Sequence, residues 1–501
     1  MDLLTILQGS LEMLLTWQCM LSIFTGLLWG TIMGAIPGLG IVLAIAIGIP
    51  FTLMMNPVNA MAFLLAVYEG AIYGGSISAI LIGAPGTPAA AATVFDGYPM
   101  CKKGQAGKAL EIALYSSVIG NLFGEVTLIL IAAQIAKVAL KFGPPEKFSL
   151  IIFALTIIGS SSGRSLPKGL ISATIGFMIA IVGTDEISGS FRFTFGTLEL
   201  QSGIGLIPLL VGIFAVSELI VIAESRTGQV EAVLTKSDNP DDNRFSIGEL
   251  KKELRTIFES SALGVFFGCL PGLGSTVAAF ISYGNAQRRS KDPDSFGKGN
   301  PTGVAAAESG NNAVAGGALV PTITLGIPGD IANSVLLGAF MLHGLRPGPE
   351  LFTKHPVETY AIFLTLIVSS FMLFFIGKAG IKLFVRFLNI TKQTLIPVVL
   401  LFCFVGTYSV STSIFDLGLM VFFGVVGYFL RKFKIPLTPF LIAYVLEPIA
   451  EAEFMRSIII SDGDPSIFLT RPISLAFIIL MVLSVGFTIY HRKKHPPLGD
   501  F

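Results

Sequence analysis

The chain has 501 residues, 53% hydrophobic and 13% charged, with a formal net charge of +1 and a mean hydropathy of +0.78. Soluble domains carry roughly 45–50% apolar and about 25% charged residues, so a soluble enzyme and a nucleic-acid-binding protein are excluded and a polytopic all-α membrane protein is expected. Cys19, Cys101, Cys269 and Cys403 are scattered with no metal-type spacing, and they read as packing residues.

The start, Met1-Asp-Leu-Leu, lacks a basic region, so no cleaved signal peptide is expected. From about Trp17 an apolar segment runs to Gly34-Ala-Ile-Pro37-Gly38-Leu-Gly40, and another continues to Leu53. Proline removes a backbone donor and the glycines permit positive φ, so this motif ends a helix. The charge map below requires it to be the tip of a re-entrant hairpin. The next segment carries Tyr68-Glu69-Gly70 and breaks at Gly83-Ala-Pro85-Gly86-Thr87-Pro88, which reads as the unwound centre of one crossing. A basic loop with Lys102, Lys103 and Lys108 follows, then four further crossings at Leu110–Leu140, Ser149–Ser160, Leu166–Thr184 and Gly203–Ala223. Gly159-Ser-Ser161-Ser-Gly163 has the form of a nucleophile elbow without its strand-turn-helix context, and reads as a turn.

Residues 224–258 are the only long hydrophilic stretch and read as a cytoplasmic linker. Beyond it the chain repeats itself. Gly268-Cys-Leu-Pro271-Gly272-Leu-Gly274 returns 234 positions after the first motif, and Gly326-Ile-Pro328-Gly329-Asp330 returns 243 after the second. Gly74-Gly75 and Gly316-Gly317 precede the two later breaks in similar register. The expected organisation is a first membrane half at 1–223 (repeat 17–108), the linker, a second half at 259–490 (repeat 260–352) and a basic cytoplasmic tail at 491–501. Crossings at Tyr360–Leu383, Leu395–Thr412, Leu417–Leu430, Pro436–Leu446 and Ile473–Tyr490 bring the total to about 12 segments, re-entrant hairpins included.

Basic residues concentrate on cytoplasmic loops, which places Lys102–Lys108, Arg164/Lys168, Arg288–Lys291, Lys378–Lys392, Arg431–Lys434 and the C-terminus inside. Asp185/Glu186, Glu350/Glu358 and Glu447–Asp464 fall outside, and Lys137–Lys147 disagrees with the map. The two repeats then have opposite orientations.

A single Pro-Gly break is more simply a packing kink; paired breaks in two halves point to a transporter binding site. Unpaired backbone groups at Pro37, Gly38, Gly40, Gly83, Pro85, Gly86, Thr87, Pro271, Gly272, Gly274, Gly326, Pro328 and Gly329 are expected to bind substrate, and helix N-termini beginning there suit an anion. Glu69, Glu308, Asn311, Asn312 and Asp330 offer oxygens for a coupling ion, sodium or a proton; no other cofactor or metal is expected. Asp96, beside a loop, reads as a turn or cap residue.

On these residues the chain resembles the large membrane subunit of the bacterial tripartite tricarboxylate transporter family. The likeness rests on Gly34–Gly40, on Gly83–Met100 continuing through Lys102–Lys108, on Glu308–Asn312, and on Gly317–Asp330 continuing to Gly348. It implies cation-gradient-driven uptake of a tricarboxylate such as citrate, or a related organic acid, across the inner membrane. A periplasmic solute-binding protein and a small membrane subunit are the implied partners. Two alternatives are a membrane aspartyl protease using Asp96 and Asp330, and a passive anion channel.

Overall fold

The computed structural model describes residues 3–161, 166–185, 189–224, 244–388 and 392–494. Most of the hydrophilic linker, the Gly163 end of the Ser/Gly turn, and the end of the basic tail lie outside these residues. The first half comprises α1 (Leu3–Leu14), α2 (Trp17–Ala35), α3 (Gly40–Thr52), α4 (Pro57–Ile82), α5 (Ala91–Lys102), α6 (Ala106–Ala139), α7 (Pro144–Ser161) and α8 (Leu166–Ala180). A two-residue strand pair, Gly183–Thr184 against Phe191–Arg192, leads to α9 (Leu206–Leu210) and α10 (Ser217–Glu224), joined by the π-helical turn Val211–Val216. The second half comprises α11 (Ile247–Cys269), α12 (Gly274–Arg289), α13 (Pro301–Leu325), α14 (Ile331–Leu342), α15 (Leu351–Lys354), α16 (Pro356–Leu388), α17 (Lys392–Ser411), α18 (Ile414–Lys432), α19 (Leu437–Ile460), α20 (Ile467–Thr470) and α21 (Pro472–Lys494). Among the described residues, seven helical spans are long and apolar enough to cross a membrane. Helix α1, which the sequence did not announce, is tied to α16 where Ser10 Oγ donates to the Val357 carbonyl at 2.8 Å.

Helices α4 and α13 are one device used twice. Asn56 accepts from Asn59 N and Asn300 from Thr302 N; Pro57 and Pro301 occupy the first turn; Gly83 (φ +68°) and Gly326 (φ +70°) end the helices in the left-handed region. At 26 and 25 residues and 1.5 Å per residue, each is longer than the ~30 Å hydrocarbon core. The breaks are therefore not unwound centres. After Gly83 the chain doubles back along α4, so that Gly86 N donates to Gly75 O at 3.2 Å. Helix α5 then returns to the end of α4, where Cys101 meets the Leu81 carbonyl. The second copy does the same: Gly329 lies against Ala318, and Gly348 N donates to Ile323 O at 2.9 Å. A left-handed glycine followed by proline fits an unwound helix and a fold-back equally, and only the long uninterrupted runs before them decide.

The repeats are inverted. Tyr68 meets Asp330, beside Gly329 at the level of Ala318, whereas Ser76 meets Glu308. As α4 advances its partners on α13 recede, so the two helices run antiparallel. Within each repeat small residues let backbones touch: a Cβ on Gly30 of α2 would lie 2.2 Å from Val67 O of α4, and one on Gly264 of α11 2.3 Å from Gly310 O of α13. The long helices that follow the repeats, α6 and α16, are exchanged between them. Gly120 and Gly124 of α6 lie on Ser309 and Ala313 of α13, and α16 packs on α2 and α4.

Candidate functional site

Four chain reversals meet at one cavity of about 750 Å³. Its wall takes Gly38–Val42 and Gly272–Thr276 from the two hairpin tips, Pro85–Pro88 and Asp330–Ala332 from the two fold-backs, and Phe214, Glu218, Arg431 and Ile435–Thr438 from outside the repeats. Within each repeat the hairpin tip is stitched to its own fold-back. Gly86 lies under the Gly34 carbonyl, Gly329 lies under the Gly268 carbonyl, and Gly272 N donates to Gly329 O at 2.9 Å.

The electrostatics of the wall follow from which helix ends are capped. Thr87 Oγ1 accepts from Ala90 N at 3.3 Å, and Asp330 Oδ1 accepts from Asn333 N at 2.8 Å. These two residues are equivalents in the duplication, but only Asp330 is a helix N-cap, that of α14; Thr87 caps the turn before α5, which itself begins at Ala90 with no side-chain cap. In contrast to α14, α3 and α12 begin at Leu39 and Leu273 with no side-chain cap. The residues that carry their first N–H groups, Gly40–Val42 and Gly274–Thr276, line the cavity, and uncapped N-termini favour negative charge.

Not every expected residue reaches this wall. Gly38, Gly40, Pro85, Gly86, Thr87, Gly272, Gly274 and Asp330 line it. Pro37, Pro271, Gly83, Pro328 and Gly329 act behind it, shaping the reversals, and Gly326 lines a separate cavity of about 390 Å³ with Arg346, Glu350 and Arg456. Arg431, which charge counting assigns to a loop, turns into the cavity and pairs with Glu218 at 2.6 Å, leaving its buried Nε without a partner. The sequence gives no hint of that pair, because Glu218 and Arg431 lie far apart outside both repeats. Ser275, Thr276 and Thr438 are further wall residues that motif reading did not find.

The expected ion-coupling residues separate into three places. Asp330 lies on the cavity, accepting from Tyr68 OH at 3.0 Å and Asn333 Nδ2 at 2.9 Å. Glu308 is fully buried where the halves meet: Ser76 donates to it at 2.6 Å, Ser117 at 3.1 Å and Asn312 Nδ2 at 3.4 Å, and Thr93 also donates. Asn311, on the neighbouring face of α13, is buried with neither side-chain polar atom partnered. Glu69 lies elsewhere again, buried toward α6 and α16. Asp96 is absent from the cavity wall; it accepts from Gly299 N and Asn300 N at 2.8 Å and from Tyr283 OH at 2.9 Å, capping the chain as it enters α13.

Paired chain reversals in an inverted duplication define a polytopic α-helical membrane protein with a cavity lined from both repeats. The chain belongs to the tripartite tricarboxylate transporter TctA family, whose family model matches residues 20–442. It is 35% identical over 477 residues, 95% of this chain and 94% of the relative, to an "Uncharacterized 52.8 kDa protein in TAR-I ttuC' 3'region" of Agrobacterium vitis. An "Uncharacterized protein in TAR-II ttuC' 3'region" of the same organism is 35% identical over 222 residues, 44% of this chain and 92% of that relative. No solved structure matches. Family membership makes the chain a membrane component of a tricarboxylate transporter.

Proposed function

We propose that this chain carries out secondary active uptake of a di- or tricarboxylate across the bacterial inner membrane. It is driven by a sodium or proton gradient, fed by a periplasmic solute-binding protein and completed by a small membrane subunit. The observation that carries the reading is the convergence of two uncapped helix N-termini and Arg431 on one cavity. One carboxylate meets the N–H groups of α3, another those of α12, and the Arg431 guanidinium donates to a third group in place of Glu218. Planar bidentate donation suits a carboxylate. Glycines at the tips let the ligand approach the backbone, and Thr87, Ser275, Thr276 and Thr438 supply hydroxyls for the remaining oxygens.

In this reading the Arg431–Lys434 side and the C-terminus face the cytoplasm, and the protein is a transporter rather than a protease, since Asp96 is engaged in capping α13 and leaves Asp330 without a second aspartate at the cavity. The test is uptake by the complete three-part complex in proteoliposomes, with and without a sodium or proton gradient and with and without the binding protein. Accumulation requiring both supports the reading. Gradient-independent equilibration without binding protein identifies a channel and removes it.

A further inference from the structure

The carboxyls around α4, α6, α13 and α14 differ in their hydrogen-bond inventories. The Glu308 carboxylate is supplied with protein donors from α4, α5, α6 and its own helix. Asp330 caps α14 and accepts from Tyr68. Glu69 of α4 and Glu125 of α6 have no comparable supply. Both are fully buried, and they face each other closely enough to act on one another's charge. No donor reaches Glu69 or Glu125 Oε2 in good hydrogen-bond geometry, although Ser369 and the opposing carboxyl lie within reach of Glu69, and Glu125 Oε1 accepts from Ser370 Oγ at 2.7 Å. Ser369 Oγ, which faces Glu69, and both polar atoms of Asn121, one turn before Glu125 on α6, are also buried without a partner in good geometry.

Taking an ion out of water costs several kcal/mol even after relaxation, and an unpaired buried carboxylate does not persist. The groups presented here by α4, α6 and α16 are these two carboxyls, Ser369, Ser370 and Asn121, and no lysine, arginine or histidine pairs with either acid among the described residues. What is missing is positive charge, and the atoms offered to it are hard oxygens, the donor set of a sodium ion and of a proton.

We propose that the Glu69–Glu125 pair of α4 and α6, with Ser369 of α16, is the seat of the coupling cation, and that the Glu308 cluster is a fixed brace between the halves. The assignment rests on the cation-driven reading above and sharpens it. Sequence reading misses Glu125 because it lies outside the repeat motifs, in the middle of an apolar helix. The position suits coupling: Glu69 follows Tyr68, whose hydroxyl holds Asp330 at the cavity, so adjacent residues of α4 touch the cation site and the substrate site. Both acids sit where the exchanged helices α6 and α16 approach α4, a junction of the two inverted halves.

The test uses the complete complex, purified and reconstituted, as wild type, Glu69→Gln, Glu125→Gln and Glu308→Gln. Two quantities are read: gradient-driven accumulation, and the shift of thermal unfolding with sodium chloride against choline chloride at fixed pH, and with pH in choline chloride. A wild-type shift with sodium identifies the ion as sodium, and a shift with pH alone identifies a proton. The expected result is that Glu69→Gln and Glu125→Gln each lose that shift and accumulate substrate no further than the outside concentration. Glu308→Gln keeps the shift from a lower starting temperature. A shift that persists in both Glu69→Gln and Glu125→Gln, or disappears only in Glu308→Gln, overturns the assignment while leaving cation-driven uptake intact. A wild type that responds to neither cation removes both the assignment and the cation-driven reading.

Discussion

Replacing Gly86 by alanine tests the cavity's construction most sharply, because the added atom has nowhere to go. Its Cβ would lie 1.9 Å from the Gly34 carbonyl oxygen and 2.9 Å from Gly75 Cα. A carbon approaches a carbonyl oxygen to about 3.3 Å at best, so the fold-back must move away from the hairpin tip by roughly 1.4 Å. The equivalent Gly329 is less confined, with Gly268 O and Ala318 Cα and Cβ all at 2.7 Å, and a carbon contact of about 3.5 Å calls for roughly 0.8 Å. Neither glycine has positive φ, so the effect is one of space alone. Overpacking of this kind costs about 1–3 kcal/mol, which a domain of this size tolerates, but a displacement near 1 Å at a binding constellation costs on the order of 100-fold in rate. The expected order is therefore Gly86→Ala near 100-fold slower, Gly329→Ala several-fold slower, and Gly284→Ala, where an added methyl meets nothing within 4 Å, unchanged. Initial uptake rates per inserted protein, in membranes checked by gel filtration for intact complex, provide the measurement. Wild-type rates for Gly86→Ala, or a larger loss at Gly329→Ala, would refute the claim that these reversals set the cavity.

Asp96→Asn leaves the N–H groups of Gly299 and Asn300 with a weaker acceptor and should lower stability by about 1–3 kcal/mol, seen as an earlier thermal transition; an unchanged transition would show that the cap is dispensable. Arg431→Lys should raise the substrate KM although charge is kept, because an ammonium cannot make the planar two-point contact, while Glu218→Gln should lower KM by releasing the guanidinium; equal KM values in all three proteins would place the substrate elsewhere. Impermeant maleimide should label Arg346→Cys but not Lys103→Cys in intact cells of a cysteine-free variant, since the ends of the two inverted repeats face opposite sides; labelling of both would mean parallel orientation. These exposed positions are better probes than the neighbouring Gly104 and Gly348, whose φ values of +82° and +139° would strain a cysteine.

The reversals were legible in the sequence because only Gly and Pro meet their backbone demands, and because the chain states them twice. Asn56-Pro57 and Asn300-Pro301 were an equally duplicated signal, and they mark where α4 and α13 begin. Read together with Gly83 and Gly326, they would have shown two complete crossings followed by fold-backs instead of two broken helices. The Arg431–Glu218 pair and the Glu69–Glu125 pair were not legible in principle. Each depends on how helices from different parts of the chain are juxtaposed, and hydropathy records only that a charge is rare at that depth. Thr87 and Asp330 show the same limit: the difference between a hydroxyl and a carboxylate suggests asymmetry, whereas the geometry gives each a bond from the N–H three residues on, in a turn for Thr87 and as the N-cap of α14 for Asp330, and adds to Asp330 its contact with Tyr68.

That contact makes a last test of how the two sites communicate. If a cation at Glu69 is to change affinity at the cavity, something must connect them, and binding linkage requires the effect to be reciprocal. The shortest covalent and hydrogen-bonded route runs from Glu69 to Tyr68, from the Tyr68 hydroxyl to Asp330 Oδ2 at 3.0 Å, and through the Asp330 cap to Asn333 at the start of α14. Tyr68→Phe removes only the hydroxyl. The ring stays in its buried slot, so the loss in stability should be limited to about 1 kcal/mol for one hydrogen bond. Couplings between sites are commonly worth 1–3 kcal/mol, or about 5- to 150-fold in affinity. In wild type the substrate KM should fall by a factor in that range as the cation rises from absent to saturating. In Tyr68→Phe the fall should shrink to near onefold while uptake at saturating substrate persists. A cation dependence of KM that survives the substitution at full size would show that α4 does not carry the signal through this hydroxyl, leaving the contacts of α6 and α16 with the repeats as the connection.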